Sequence, residues 1–387
     1  MGRFSDALRA PGLSVIAEIK RRSPSEGVLR PRADPVEFTV AFGRAGAAAV
    51  SILVDDRFDG SLADLKSARA VAPDATLLAK GFFTEELQLL QMKLAGADAA
   101  LLLLRNVDDS RAAALLGYAA ELQLDMLVEA HDAVELQRAV HLGAEVIGIN
   151  ARDLSTFEID RRTQLELVAS APHDRVIVAE SGISSRAQGA AAELAGADAL
   201  LVGSALMRAP DPAAKLRDVL TRPLVKVCGL TRDEDVAVAA DAGADLAGFI
   251  LAKESPRRAK RVLDVPDTML SVAVFVEDVE ETPADLVQLY ERENGHRSQD
   301  AVLLRGEQRV ATVIDLPWQQ QDPQHLERAR GTVGRVMLAG GLAADNVRAA
   351  IDVVRPWAVD ASSRLEVKPG VKDPELVRAY VEAAKWL

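Results

Sequence analysis

The chain has 387 residues, enough for two or three domains, and 49% of them are hydrophobic, so sizeable cores can be buried. A net charge of −12 argues against nucleic acid or an anionic membrane surface as a partner. The single cysteine excludes an internal disulfide and fits a reducing cytoplasm, and no apolar segment is long enough to predict a signal peptide or a membrane span.

In chain order, the first apolar run, Val15-Ile16-Ala17 with Ile19, is of strand length. It ends in Glu18 and Lys20, which share a parity and therefore a face, and a basic loop rich in Ser, Pro and Gly follows. On these residues alone, a site for an anionic substrate and a surface salt bridge beside a turn stand level. One pattern then recurs five times: a helical segment, a Gly-Ala pair, and an apolar run. Its glycines are Gly46, Gly96, Gly143, Gly196 and Gly243, each suited to a left-handed helix cap before a buried strand. Further apolar runs at 15–19, 76–78, 126–128 and 176–178 alternate with these. Eight strand–helix units fit before residue 205, which predicts a (β/α)8 barrel rather than a solenoid or a doubly wound sheet. Asp132 with Glu135, and Thr231 with Glu234, have capping-box spacing and are expected only to start helices.

A helix over 212–220 closes this first domain, 1–220; residues 221–223 are a linker, and a second domain occupies 224–387. Strands are expected there at 224–227, 246–251, 271–276, 301–304, 310–314, 336–338 and 358–359, while polar 291–299 and 319–324 read as loops. Seven strands leave the second barrel about one βα unit short. The predicted fold class is α/β, with two tandem (β/α)8 barrels of the TIM type, the second shortened.

Catalytic groups of such barrels sit at the carboxyl ends of the strands. In the first domain those ends offer Glu18 and Lys20, Lys80, Glu129, Asn150 and Arg152, Glu180-Ser181-Gly182, and Gly203-Ser204. Charges placed directly after buried apolar runs are costly unless paired, so a cluster converging from six strands points to function. The loops at 181–182 and 203–204 follow the strands where barrels commonly bind phosphate. Five histidines, at 131, 141, 173, 296 and 325, have no metal-ligand spacing, and no metal site is expected.

Ala17-Glu18-Ile19-Lys20 with Ser23-Pro24-Ser25, Lys80-Gly81-Phe82, Leu127-Val128-Glu129-Ala130-His131, the run 147–154, Glu180-Ser181-Gly182-Ile183 and Leu201-Val202-Gly203-Ser204 resemble indole-3-glycerol phosphate synthase over about residues 4–220. The resemblance implies ring closure of 1-(2-carboxyphenylamino)-1-deoxyribulose 5-phosphate with loss of CO2 and water. It matches Lys80 to the general acid and Glu129 to a carboxylate assisting dehydration. Glu18 and Lys20 would orient each other and the substrate carboxylate, and Asn150 would position the reacting chain. Ser23, Arg152, Glu180, Ser181, Gly182, Leu201, Gly203 and Ser204 would hold substrate and phosphate. No cofactor is implied, because the substrate's own enamine supplies the nucleophilic carbon. The chain departs from this family in Gly81, where aspartate is usual, in Glu26, where lysine is usual, and in the few residues before the first strand. A more open site with a higher KM is expected from these departures.

In the second half, Cys228 ends a strand before a helix start, a place that suits either a small buried hydrophobe or a lowered-pKa base. Lys226-Val227-Cys228-Gly229-Leu230-Thr231, Ser255-Pro256-Arg257, Leu338-Ala339-Gly340-Gly341-Leu342, the run 358–363 and Pro369-Gly370-Val371-Lys372-Asp373 resemble phosphoribosylanthranilate isomerase. That family carries out an Amadori rearrangement whose product is the first domain's implied substrate. Cys228 matches its base, Arg257 a substrate anchor, and Gly340, Gly341, Ser362 and Ser363 its phosphate loops. Its acid, an aspartate ending the sixth strand, corresponds either to Asp315 with the following loop deleted or to nothing, Asp315 then being a surface residue. Arg364 stands where a small residue is usual. The expected protein is a cytoplasmic, monomeric, cofactor-free enzyme of tryptophan biosynthesis acting on small phosphosugar–anthranilate substrates. The alternatives are a synthase carrying a non-catalytic folding module, or another phosphosugar-metabolising barrel.

Overall fold

The computed structural model describes residues 2–23, 25–153, 156–220, 223–294, 296–315 and 323–385. The predicted linker at 221–223 lies largely outside them, as do 319–322 of the predicted loop at 319–324, whose last two residues instead begin the helix Pro323–Gly331. The chain forms two compact units, each built on a closed eight-stranded barrel.

The first barrel contains β1 (Ser14–Ile19), β2 (Ala49–Leu53), β3 (Leu77–Lys80), β4 (Ala99–Leu103), β5 (Asp125–Ala130), β6 (Val146–Asn150), β7 (Val176–Glu180) and β8 (Ala199–Val202). All neighbours are parallel, and β1 closes the ring between β8 and β2. Alternate residues divide the core into two layers. Val15, Ala17, Val128, Ile147 and Ala179 pack outward against the helices. Ile16, Leu78, Leu127, Val178 and Leu201 fill the interior with Phe4 and Leu8, which come from the short helix Arg3–Leu8. Asp125 binds the start of that helix, accepting from the Phe4 and Ser5 amides at 2.9 Å.

The repeated Gly-Ala turns behave as predicted, with φ between 76° and 115° at Gly46, Gly96, Gly143, Gly196 and Gly243. The aspartate that follows three of these pairs has a job the sequence did not disclose. Asp98 accepts the Leu77 N–H at 2.8 Å, Asp198 that of Ile177 at 2.8 Å and Asp245 that of Val225 at 2.9 Å, so each pins the start of the neighbouring strand. The capping boxes are only partly realised. Asp132 caps the helix Ala133–His141, but the Glu135 carboxylate turns back to His131. Thr231 caps nothing and donates to the Gly370 carbonyl.

The second barrel contains β9 (Leu224–Cys228), β10 (Leu246–Ile250), β11 (Leu270–Val276), β12 (Leu286–Glu293), β13 (His296–Arg305), β14 (Gln308–Asp315), β15 (Val336–Ala339) and β16 (Ala358–Ala361). The ring closes with eight strands, one more than the seven counted from sequence. The shortening falls on helices instead. Among the described residues α-helices follow only β9, β14, β15 and β16, and β12, β13 and β14 form an antiparallel meander. The stretch 291–299, read as a loop, is the far end of its first hairpin, pairing Arg292 with Arg297 and Glu293 with His296. With no helix over it, β12 alternates buried Leu286, Gln288 and Tyr290 with half-buried Val287 and Leu289. That is the pattern of a one-sided strand, not of the continuously apolar strands of a covered parallel sheet.

Candidate active sites

Period two along the strands of the first barrel determines what meets at its mouth. One step beyond interior Ile16, Leu78, Leu127, Val178 and Leu201, the next residues of the same parity are Glu18, Lys80, Glu129, Glu180 and Gly203. The Lys80 ammonium lies 2.6 Å from Glu180 Oε2, 3.6 Å from Glu18 Oε2 and 3.8 Å from Glu129 Oε2. Lys20 Nζ stands 3.0 Å from Glu18 Oε1. Asn150 donates its amide to Glu129 Oε1 at 2.8 Å and accepts the Arg152 N–H at 2.9 Å. Glu18, Glu129 and Glu180 are 4%, 2% and 1% exposed, so desolvation acts on all three.

Burial opposes every charge in this cluster, and pairing decides which ones persist. Burial pulls the Lys80 ammonium down, but Glu180, Glu18 and Glu129 together outweigh it and hold the amine well above its ordinary value. Glu129 is raised by burial and brought down to about 2 by Lys80 and His131. Glu18, against its own burial, is held low by Lys20 and Lys80. Glu180 differs: burial and repulsion from Glu129 and Glu18 push it up to about 7 in spite of Lys80. The cluster therefore combines a fixed cation, two fixed anions and one carboxyl able to exchange a proton near neutrality.

These groups floor a cavity of about 680 Å³. Its apolar lining comes both from the β2–β4 side, with Leu53, Phe82, Leu101 and Leu103, and from the β6–β8 side, with Phe157, Ile159, Ile183 and Leu201. The Arg57 guanidinium lies 3.7 Å from the Phe82 ring centroid. Its polar lining comes from the β6–β8 side: Arg152, Ser181, Gly182, Gly203 and Ser204. Ser181 and Gly182 both have positive φ, 68°, a backbone setting that favours glycine and is uncommon for serine. Every site residue predicted for this domain lines the cavity except Glu180, which is reached through Lys80. Ser23 is buried at its rim, 3.1 Å from Ser25 Oγ.

Three contributors take parts that the sequence did not disclose, Glu26 having stood out there only as a departure from the family. Glu26 bridges the mouth, with Arg152 Nη2 at 2.7 Å on one oxygen and Arg208 Nη2 at 3.0 Å on the other. Gly148 keeps room for Glu180, because a Cβ there would collide with Glu180 Oε1. His131 lies behind Glu129, its Nε2 3.1 Å from Glu129 Oε1. Apart from Glu26, only Gly148 carried a signal, a glycine inside an apolar strand.

The second barrel has a cavity of about 430 Å³ lined by Cys228, Arg257, Tyr290, Arg297, Asp315, Gly340, Gly341, Ser362 and Ser363 among others, so every residue predicted for this half reaches one place. Beneath it runs a buried polar chain. Lys226 Nζ donates to Asp360 at 2.8 Å and to Gln288 at 2.6 Å, Gln288 donates to the Tyr290 hydroxyl at 2.8 Å, and that hydroxyl donates to Asp315 Oδ2 at 3.0 Å. Arg297 donates to the same Asp315 oxygen at 2.8 Å and stacks 4.1 Å from the Tyr290 ring centroid. Asp315 is thus a wall of the cavity, not a detached surface residue. Burial pushes the Cys228 thiol up, with Lys226 pulling the other way. Arg257 is anchored to Glu366 at 2.7 Å, and Arg364 pairs with Asp345 and donates to the Gly341 carbonyl at 3.2 Å. Arg297 enters the mouth from the start of a reversed strand, a position that the rule of carboxyl ends does not single out in the sequence.

Among the described residues, no helix is long and apolar enough to cross a membrane. The family model "Indole-3-glycerol phosphate synthase" matches residues 2–219, and the model "N-(5'phosphoribosyl)anthranilate (PRA) isomerase" matches 319–383. The tryptophan biosynthesis protein TrpCF of Yersinia pestis is 33% identical over 417 residues, covering 99% of this chain and 87% of that protein. The multifunctional tryptophan biosynthesis protein of Schizosaccharomyces pombe is 30% identical over 463 residues, 99% of this chain and 61% of that protein. An indole-3-glycerol phosphate synthase of a Nocardioides species is 47% identical over 210 residues, 54% of this chain and 80% of that protein. With two matched family models in sequence and a full-length relative, the chain belongs to the bifunctional tryptophan-biosynthesis family that joins an indole-3-glycerol phosphate synthase to a phosphoribosylanthranilate isomerase.

Proposed function

We propose that residues 1–220 convert 1-(2-carboxyphenylamino)-1-deoxyribulose 5-phosphate to indole-3-glycerol phosphate, and that residues 224–387, after a linker at 221–223, form the preceding isomerase. The observation that carries the first assignment is the Lys80 ammonium ringed by Glu180, Glu18 and Glu129 at 2.6–3.8 Å, under a cavity that has Phe82, Leu101 and Leu103 on its β2–β4 side and the Ser181-Gly182 and Gly203-Ser204 loops on its β6–β8 side. The anthranilate ring fits the Phe82, Leu101 and Leu103 side, and the phosphate fits Ser181, Gly182, Gly203 and Ser204. Lys80 gives a proton to the ketone oxygen as the ring carbon bearing the carboxylate attacks the ketone carbon. The new C–C bond forms, CO2 leaves with its bonding pair returned to the ring, and the new hydroxyl, given a second proton by Lys80 after Glu180 has recharged it, departs as water. Glu129 takes the proton released on dehydration, and Glu180 is placed to return one to Lys80. Glu18 and Lys20 hold each other and the substrate carboxylate, and Asn150, Arg152, Ser23 and Leu201 fix the remaining contacts.

Lys80→Ala should lower kcat for indole-3-glycerol phosphate formation by about 10²- to 10⁴-fold, the usual effect of losing a general acid, with KM changed much less. Unchanged formation would remove Lys80 from the role of acid.

In the second half Cys228 is the base and Arg257 a substrate anchor, while Gly340, Gly341, Ser362 and Ser363 hold phosphate and Asp315 is the acid. A second reading, synthase activity alone, is favoured by one observation: Asp315 Oδ2 already accepts from both Tyr290 and Arg297. The two are separated by supplying phosphoribosylanthranilate with an excess of an independent active synthase and following indole-3-glycerol phosphate against a helper-only blank. Product above the blank that disappears in Cys228→Ala and in Asp315→Asn supports the isomerase. No product above the blank supports the second reading. A cytoplasmic monomer needing no cofactor, nucleic acid or membrane completes the proposal.

A further inference from the structure

His131 is almost wholly buried between two carboxylates that come from different elements. Its Nδ1 lies 2.9 Å from Glu135 Oε2, on the helix Ala133–His141, and its Nε2 lies 3.1 Å from Glu129 Oε1, on β5. The His131 backbone N–H also donates to Glu135 Oε2, at 2.8 Å, which locks the ring's approach. The Nε2 atom faces Glu129 Oε1 without an aligned N–H···O bond, and that oxygen already receives the Asn150 amide at 2.8 Å. A neutral imidazole has one N–H, so with carboxylates at both nitrogens one carboxylate would face a bare lone pair. The geometry asks for the imidazolium.

We infer that His131 is a positioning residue for the synthase reaction, a buried imidazolium held by Glu135 that fixes the Glu129 carboxylate ionised and oriented toward Lys80 and Asn150. The inference rests on the reading of Glu129 as a participant in dehydration. The charges around the ring are Glu129 on its own strand, Glu135 on the following helix, and Arg105 after β4, 3.3 Å from Glu135 Oε1. Lys80 on β3 stands beyond Glu129, 3.8 Å away. Arg105 opposes protonation of His131, and the two carboxylates favour it. Burial by itself would pull the imidazole down, but Glu129 and Glu135 outweigh it and lift His131 to about 9. The ring therefore stays charged through neutrality, and Glu129 stays a carboxylate.

Two measurements test this. The first needs no variant: a pH titration of the His131 ring by NMR in the full-length protein should show it protonated at pH 7.5 and titrating near 9. Titration near the ordinary histidine value of about 6.5 would overturn the inference. The second compares His131→Asn and Glu135→Gln with wild type on 1-(2-carboxyphenylamino)-1-deoxyribulose 5-phosphate. His131→Asn should lower kcat about 10- to 100-fold with KM within about threefold, and should move the acid limb of kcat upward by about one pH unit or more as Glu129 loses its cation. Glu135→Gln should leave the acid limb in place and move the alkaline limb downward, because the imidazolium loses its proton earlier. A wild-type kcat and pH profile in His131→Asn would overturn the inference while leaving the synthase assignment standing. A wild-type protein with no turnover of this substrate would overturn the assignment itself.

Discussion

Glu26 shows how one side chain can set an affinity. It stands where the resembling family carries lysine, so a cation that would attract an anionic substrate is replaced by an anion. That anion is held by Arg152 and Arg208, and hydrogen bonds from Ser204 and Arg152 keep its carboxyl low against its burial. Arg152 is further tied to Ser25 at 2.7 Å, which holds this part of the loop against the mouth. A substrate anion must displace this carboxylate to reach the arginines. Glu26→Gln should therefore lower KM about three- to tenfold with kcat nearly unchanged, since exposed and half-exposed charge pairs are worth about 1 kcal/mol or less. Steady-state kinetics at fixed ionic strength would show it, and an unchanged or raised KM would mean that the carboxylate does not compete. The residues proposed as catalytic in the first barrel were legible because each follows an apolar run at fixed parity. Glu26, His131 and Arg208 were not, because their roles depend on partners far away in the chain.

At the scale of the element, a glycine inside a strand is the recurring device. Gly148 on β6 leaves room for Glu180, and Gly248 on β10 leaves room for Cys228 and Lys226, whose Sγ and Cε would lie 2.7 Å and 2.8 Å from an added Cβ. In both barrels the space faces the group on the neighbouring strand that the chemistry uses. Gly148→Ala should cut synthase turnover at least tenfold by displacing Glu180 from Lys80, and should cost about 1–3 kcal/mol of stability, as overpacking does. Kinetics and thermal unfolding together check this; a stable, fully active Gly148→Ala would show that the carboxylate can move without loss. The strands of the first barrel were readable because both faces are covered, which makes their runs continuously apolar. β12 and the outer half of β13 were not, since one face meets no helix and the inner face carries Gln288, Tyr290 and Arg297. A search for apolar runs passes over such strands.

At the scale of the whole molecule, the sequence disclosed two barrels, their order and the convergence of each predicted set of side chains on one cavity. It did not disclose how the second ring reaches eight strands. A parallel strand needs a crossover of a dozen or more residues, whereas an antiparallel one needs only a hairpin, so reversing β13 keeps the ring closed while dispensing with helices. The first cavity collects its residues from the ends of eight strands dispersed between residues 18 and 208. In the second, Gln288, Tyr290, Arg292, Arg297 and Asp315 come from one unbroken meander, β12 to β14. That quarter of the wall is written in one continuous stretch of sequence. A single exchange of coding sequence across 286–315 would replace its arginines, its tyrosine and its aspartate together, between the edges of β11 and β15. The lining of the first cavity offers no such stretch, because its residues are scattered along the chain.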